Sequence, residues 1–92
     1  MPEVRFRLPS LLAEFAGNQR SFVVDANTVG AALDAAMDTY PLLRTHLEDE
    51  GGVQRPHVNV FFNDTEVRQL SSLAAPVRDG DEITIIQSVS GG

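Results

Sequence analysis

From Glu3 to Leu8, apolar and polar residues alternate: Val4, Phe6 and Leu8 fall on one side, and Glu3, Arg5 and Arg7 on the other. A period of two is that of a half-buried β-strand. Pro9 has no N–H to give and ends the ladder. Leu11, Leu12 and Phe15 are apolar without a strand period, and Gly17-Asn18 is a turn signal. Gln19 to Val24 reads as a second strand with Phe22 and Val24 on one face. The two strands are expected to form a hairpin, with a loop longer than the two-residue ideal.

Asp25-Ala26-Asn27-Thr28 opens a helix, with Thr28 or Asn27 as its N-cap. Val29, Ala32, Leu33, Ala36, Met37 and Tyr40 recur every three or four residues and make one apolar stripe over about residues 29–39. Asp34 and Asp38 fall on the solvent side. Pro41 stops the helix near Tyr40, and Leu42 to Leu47 has the composition for one further turn. The stretch from Glu48 to Pro56 combines acids, Gly51-Gly52 and a proline, and a mobile loop is expected there.

Val58, Val60 and Phe62 alternate with Asn59 and Phe61 in a third strand, and Asn63-Asp64-Thr65-Glu66 is turn chemistry. Val67 to Leu73 fits a short strand or a helical turn. Arg78-Asp79-Gly80-Asp81 is a turn with Gly80 expected at positive φ. Glu82 to Gln87 is the last strand, with Ile83 and Ile85 on one face and Thr84 and Ile86 on the other. Ser88 to Gly92 has no alternating pattern and is expected to be a flexible tail.

One helix covers only one face of a sheet. The expected architecture is therefore α+β, a single mixed sheet with one main helix packed on one face. The domain spans residues 1–87 and the tail residues 88–92. The expected core is Val4, Phe6, Leu8, Phe22, Val24, Val29, Leu33, Met37, Val58, Val60, Phe62, Ile83 and Ile85. Phe61 and Ile86 then point away from the helix. An exposed apolar pair on a sheet is either a partner site or two separate surface hydrophobes, and the pattern is compatible with both.

The 92 residues suffice for one domain with a modest core. A net charge of -6 is the reverse of what phosphate neutralisation needs, so no nucleic-acid partner is expected. The charge suits either solubility or steering toward basic patches. No apolar run reaches the roughly 20 residues of a membrane span, and no secretory h-region is visible, so a cytoplasmic protein with no membrane partner is expected. The chain has no cysteine, which removes disulfides, thiolate metal sites and a cysteine nucleophile.

Ordinary active-site chemistry is equally hard to find. His46 and His57 lack companions at metal-ligand spacing, so no metal is expected. Gly51-Gly52 is no phosphate loop, and no serine sits in a nucleophile elbow. The acids are scattered over helix surfaces and turns. The chain is not expected to be an enzyme by itself.

What remains is Gly91-Gly92, which follows the last strand after a short spacer containing Val89 and Ser90. Six residues from Gln87 to Gly92 reach roughly 20 Å when extended, enough to place a carboxylate inside another protein's active site. Glycines lack Cβ, so a narrow channel can close around them. A frayed terminus would read the same way.

Several segments together resemble a known family. They are Asn27-Thr28-Val29 before a single helix, Val58-Asn59-Val60 followed by Asn63-Asp64, Asp79-Gly80-Asp81-Glu82-Ile83, and terminal Gly91-Gly92. In this order they resemble the ubiquitin-like sulfur carriers, the MoaD/ThiS/CysO family, over nearly the whole chain. The stretch from His57 to Arg68 is most similar to the CysO-like members. The resemblance implies a β-grasp fold. It also implies that a MoeB/ThiF-type E1-like enzyme adenylates the Gly92 carboxylate with ATP and magnesium, the chain itself binding no cofactor. Sulfur would then replace AMP to give a thiocarboxylate, carried into partner active sites on Val89, Ser90 and Gly91. Ile86 and Phe61 become partner-interface residues. The CysO-like acceptor would be a cysteine synthase, with a metalloprotease releasing cysteine. The same chemistry would serve molybdopterin, thiamine or thiosugar synthesis, or attachment to other proteins as a ubiquitin-like modifier. A plain interaction domain using the Phe61 and Ile86 face is the remaining reading.

Overall fold

A computed structural model describes residues 1–87. The elements in chain order are β1 (Glu3–Arg7), α1 (Ser10–Ala13), β2 (Ser21–Asp25), α2 (Val29–Thr39), α3 (Pro41–Leu47), β3 (Val58–Phe62), β4 (Thr65–Glu66) and β5 (Glu82–Gln87). Two 3₁₀ turns lie at Glu14–Ala16 and Val67–Gln69. The strands form one mixed sheet in the order β2-β1-β5-β3-β4. β1 runs antiparallel to β2 and parallel to β5, and β3 is antiparallel to both β5 and β4.

The alternation of the sequence becomes two different sheet faces. Val4, Phe6, Phe22, Val24, Val58, Val60, Ile83 and Ile85 are all buried on one face. They join Val29, Ala32, Ala36 and Met37 of α2 and Leu43 and Leu47 of α3 in one core cluster. Phe6 and Phe22 are direct cross-strand partners, and their rings stack 5.2 Å apart. Tyr40 meets Phe22 edge-on at 4.9 Å.

α2 starts where a side-chain acceptor is available: Thr28 Oγ1 accepts the Ala31 N–H at 3.1 Å. The Val29 and Gly30 amides donate to the Ala75 and Leu73 carbonyls at 3.0 and 2.8 Å. These bonds satisfy N-terminal helix donors that have no partner within the helix. The approach is close, since a Cβ on Gly30 would lie 3.2 Å from the Leu73 side chain and carbonyl.

The structure departs from the sequence-based expectations at four places. Leu11, Leu12 and Phe15 belong to α1 and the following 3₁₀ turn, and Leu12 is buried in the core. The single turn expected after Tyr40 is a seven-residue helix, α3. Thr65–Glu66, expected as turn, pairs with Phe61 and Phe62. Leu33 and Phe62, expected inside, are only partly buried. The segment after α3 is a loop, as expected, and carries bonds of its own: Asp49 Oδ1 accepts the Gly51 and Val53 amides at 2.9 and 3.0 Å, and the Arg55 N–H reaches the Leu47 carbonyl at 2.9 Å.

Candidate functional site

β5 leads to the C-terminal residues, so its register decides where they leave the body. Three side chains set that register. Asn63, at φ 53°, is in the left-handed region that Asn tolerates better than most residues. Its N–H donates to the Glu82 carbonyl at 2.8 Å, and its Oδ1 accepts the Glu82 N–H at 3.0 Å. Asp81 Oδ2 accepts the Arg78 N–H at 2.8 Å, closing the turn in which Gly80 has φ 90°. Asp79 Oδ1 accepts the Glu3 N–H at 2.7 Å, joining that turn to the start of β1. Asn63 and the Asp79-Gly80-Asp81 turn thus anchor the entry of β5.

The outward face of β5 carries Glu82, Thr84 and Ile86. Ile86 is 47% exposed, against 2% for its neighbour Ile85. Ile86 pairs across the ladder with Asn59, and Thr84 with Phe61. Phe61 and Ile86 are therefore diagonal neighbours on one face, a spacing of roughly 7–8 Å. The structure brings these two sequence-predicted residues together, with Phe61 only partly exposed.

Charged groups flank the pair. Arg7 Nε meets Glu82 Oε1 at 2.6 Å. On the other side, Arg68 Nη1 contacts Glu66 Oε1 at 3.1 Å and Asn59 Oδ1 at 3.4 Å. Arg68 Nη2 donates to the Arg55 and Val58 carbonyls at 3.0 and 2.9 Å, which pins the start of β3. Sequence reasoning missed Arg68, because no local pattern announces a guanidinium that bridges segments ten residues apart. It also missed Val23, 47% exposed and paired with Arg5 on this same face. The alternation of Val23 with Phe22 and Val24 was the signal available for it.

Val89, Ser90, Gly91 and Gly92 lie outside the described residues. Among the described residues no group of three His, Cys, Asp or Glu side chains is placed to hold a metal ion. His46 stacks on Phe15 with ring centres 3.9 Å apart, and His57 is exposed. The groove beside α3 mixes Arg44, Glu48, Asp49 and Arg55. Arg44 there is paired with Asp38 at 2.9 Å and Glu48 at 3.3 Å. Among the described residues no helix is long and apolar enough to cross a membrane.

A family model described as the ThiS family matches residues 6–92. The chain belongs to the ThiS family. Sulfur carrier protein CysO of Mycobacterium tuberculosis (strain ATCC 25618 / H37Rv) is 32% identical over 91 residues, 97% of this chain and 98% of the relative. Small archaeal modifier protein 1 of Haloferax volcanii is 34% identical over 92 residues, covering 97% of this chain and 100% of the relative. Among solved structures, a chain of the Amycolatopsis orientalis BexX/CysO complex superimposes with a TM-score of 0.82 at 30% identity, covering 97% of this chain and 99% of that one. The ThiS-family fold here is thus the β-grasp expected from the sequence. The family to which the chain belongs comprises sulfur carriers and ubiquitin-like modifiers, and at least one of these relatives is found in complex with a partner protein.

Proposed function

We propose that this chain is a sulfur carrier that works through a thiocarboxylate on Gly92. The observation that carries the reading is the ThiS-family match, which runs through residue 92 and so includes Gly91-Gly92. The division of labour is a folded body, residues 1–87, that is recognised, and a tail, residues 88–92, that reacts.

A free carboxylate is a poor electrophile. In the proposed first step a Gly92 carboxylate oxygen attacks the α-phosphorus of ATP, held with magnesium on a MoeB/ThiF-type E1-like enzyme, and pyrophosphate leaves. Hydrosulfide then attacks the acyl carbon. A C–S bond forms, the C–O bond to phosphate breaks, and AMP departs with the bonding electrons. The product sulfur is nucleophilic. Ile86 and Phe61 form the docking surface, while Val89, Ser90 and Gly91 thread into the partner's active site. The carrier supplies no acid or base, consistent with the mixed, self-paired charges on its surface.

The CysO likeness makes a cytoplasmic cysteine synthase acting on an activated serine the acceptor of this reading, with a metalloprotease freeing the cysteine. Carriage of sulfur for molybdopterin, thiamine or thiosugar synthesis uses the same steps. The likeness to the small archaeal modifier supports a second reading, in which a lysine of another protein attacks the same adenylate and forms an isopeptide.

Incubation with an E1-like enzyme, ATP, magnesium and sulfide should raise the intact mass by about 16 Da, the exchange of oxygen for sulfur. Deleting Gly92 should abolish that shift and leave thermal unfolding unchanged. A shift that survives the deletion, or none with several such enzymes, would overturn the reading.

A further inference from the structure

None of the 92 residues is lysine, and none is cysteine; all seven Lys+Arg positions are arginine. Lysine is among the commonest residues of globular domains. Its complete absence removes the amine side chains that attack activated acyl groups. A guanidinium stays protonated at neutral pH and is no substitute nucleophile. Without cysteine there is no thiolate to form a self-thioester. Serine, threonine and tyrosine hydroxyls are weak without an adjacent base.

A backbone amine on Met1 would sit at the wrong end of the sheet. Parallel pairing sets Arg5 opposite Glu82. Met1 therefore lies four residues before that level and Gln87 five residues after it. At strand rise these nine positions amount to about 30 Å. Residues 88–92, fully extended, span at most about 18 Å. The Met1 position is therefore out of reach of Gly92 of the same chain.

We propose that no side chain of this carrier can receive its own activated acyl group, which goes instead to sulfur or to an amine on another protein. Its residues form no lysine-linked self-amide and no lysine-linked chains. This rests on the activation of Gly92 proposed above. In the excluded reaction an amine nitrogen would attack the adenylate carbon, a C–N bond would form, the C–O bond to phosphate would break, and AMP and a proton would leave. In a concentrated pool of carriers the other copies are the nearest competing nucleophiles. Their lack of lysine side chains favours reaction of the adenylate with the sulfur donor.

The same topology gives a position-dependent test. Arg20 and Arg78 are both exposed. The Arg20 carbonyl accepts the Leu8 N–H at 2.8 Å, at the end of the sheet where β5 runs out. Two strand spacings, about 10 Å, separate it from β5, within reach of the tail. Arg78 precedes β5 at the opposite end. Wild type, Arg20→Lys and Arg78→Lys would each be incubated with an E1-like enzyme, ATP and magnesium, with and without sulfide, and read by intact mass and peptide mapping.

With sulfide all three should gain about 16 Da. Without it, Arg20→Lys should yield a monomer lighter by about 18 Da, one water, through an internal amide. Arg78→Lys should instead give concentration-dependent dimers joined from Gly92 to the substituted position. Wild type should give neither product, at least about tenfold below the variants. Covalent self-products in wild type at the variants' level would overturn the proposal. So would a sulfide-dependent shift in all three with no amide in either variant, since lysine would then not be what is missing. Absence of the shift in every protein would overturn the Gly92 reading, and this proposal with it.

Discussion

Ile85 and Ile86 are chemically identical neighbours with opposite roles. One pleat position sends Ile85 into the core at 2% exposure and leaves Ile86 at 47% on the far face. Ile86→Asp is expected to change the melting temperature by no more than a few degrees, as a surface change should. It should weaken binding to an E1-like partner by about tenfold or more, which calorimetric titration would measure. A collapse of stability would instead show Ile86 to be part of the core. Ile85→Asp should unfold the domain, because it buries an unpaired charge. Strict alternation along β5 made this phase legible in the sequence. The partial burial of Leu33 and Phe62 was not legible, because it depends on how far neighbouring elements cover them in three dimensions. The polar contacts of Arg68 are likewise settled only in three dimensions.

Among the elements, those with a sustained period were read correctly, and those too short to have one were not. α2 occupies the range its apolar stripe predicts, because eleven residues allow the repeat to show. α1 has four residues and β4 two, about one period each and too few for a repeat to show. Their positions follow from what the neighbouring elements leave uncovered. β5 is a different case, since its entry was marked by turn residues rather than by periodicity. Gly80 sits at φ 90° with nothing within 4 Å of where a Cβ would be. Gly80→Ala therefore meets no clash, and its cost is conformational alone, about 1–2 kcal/mol. Chemical denaturation should show that loss as a lower midpoint with an unchanged slope. A neutral effect would mean that the turn relaxes freely and does not anchor β5. As for the candidate site, the outward pair was readable from alternation, whereas its charged surround of Arg7, Glu82 and Arg68 was not.

For the whole molecule, the net charge of -6 suggests a kinetic role in finding partners. Association with an E1-like enzyme should slow several-fold between about 0.05 and 0.5 M salt, with little change in dissociation. Stopped-flow mixing would measure this, and a salt-independent association rate would reduce the charge to a matter of solubility. The sheet order has a further consequence. The strand that precedes the tail is not at an edge: β1 binds it on one side in parallel and β3 on the other in antiparallel. A strand held between two ladders resists being drawn along its axis, because its hydrogen bonds are loaded together in shear and not broken one at a time. A pull on residues 88–92 would thus be resisted by two ladders at once. Residues 1–87 are thereby anchored against traction along β5.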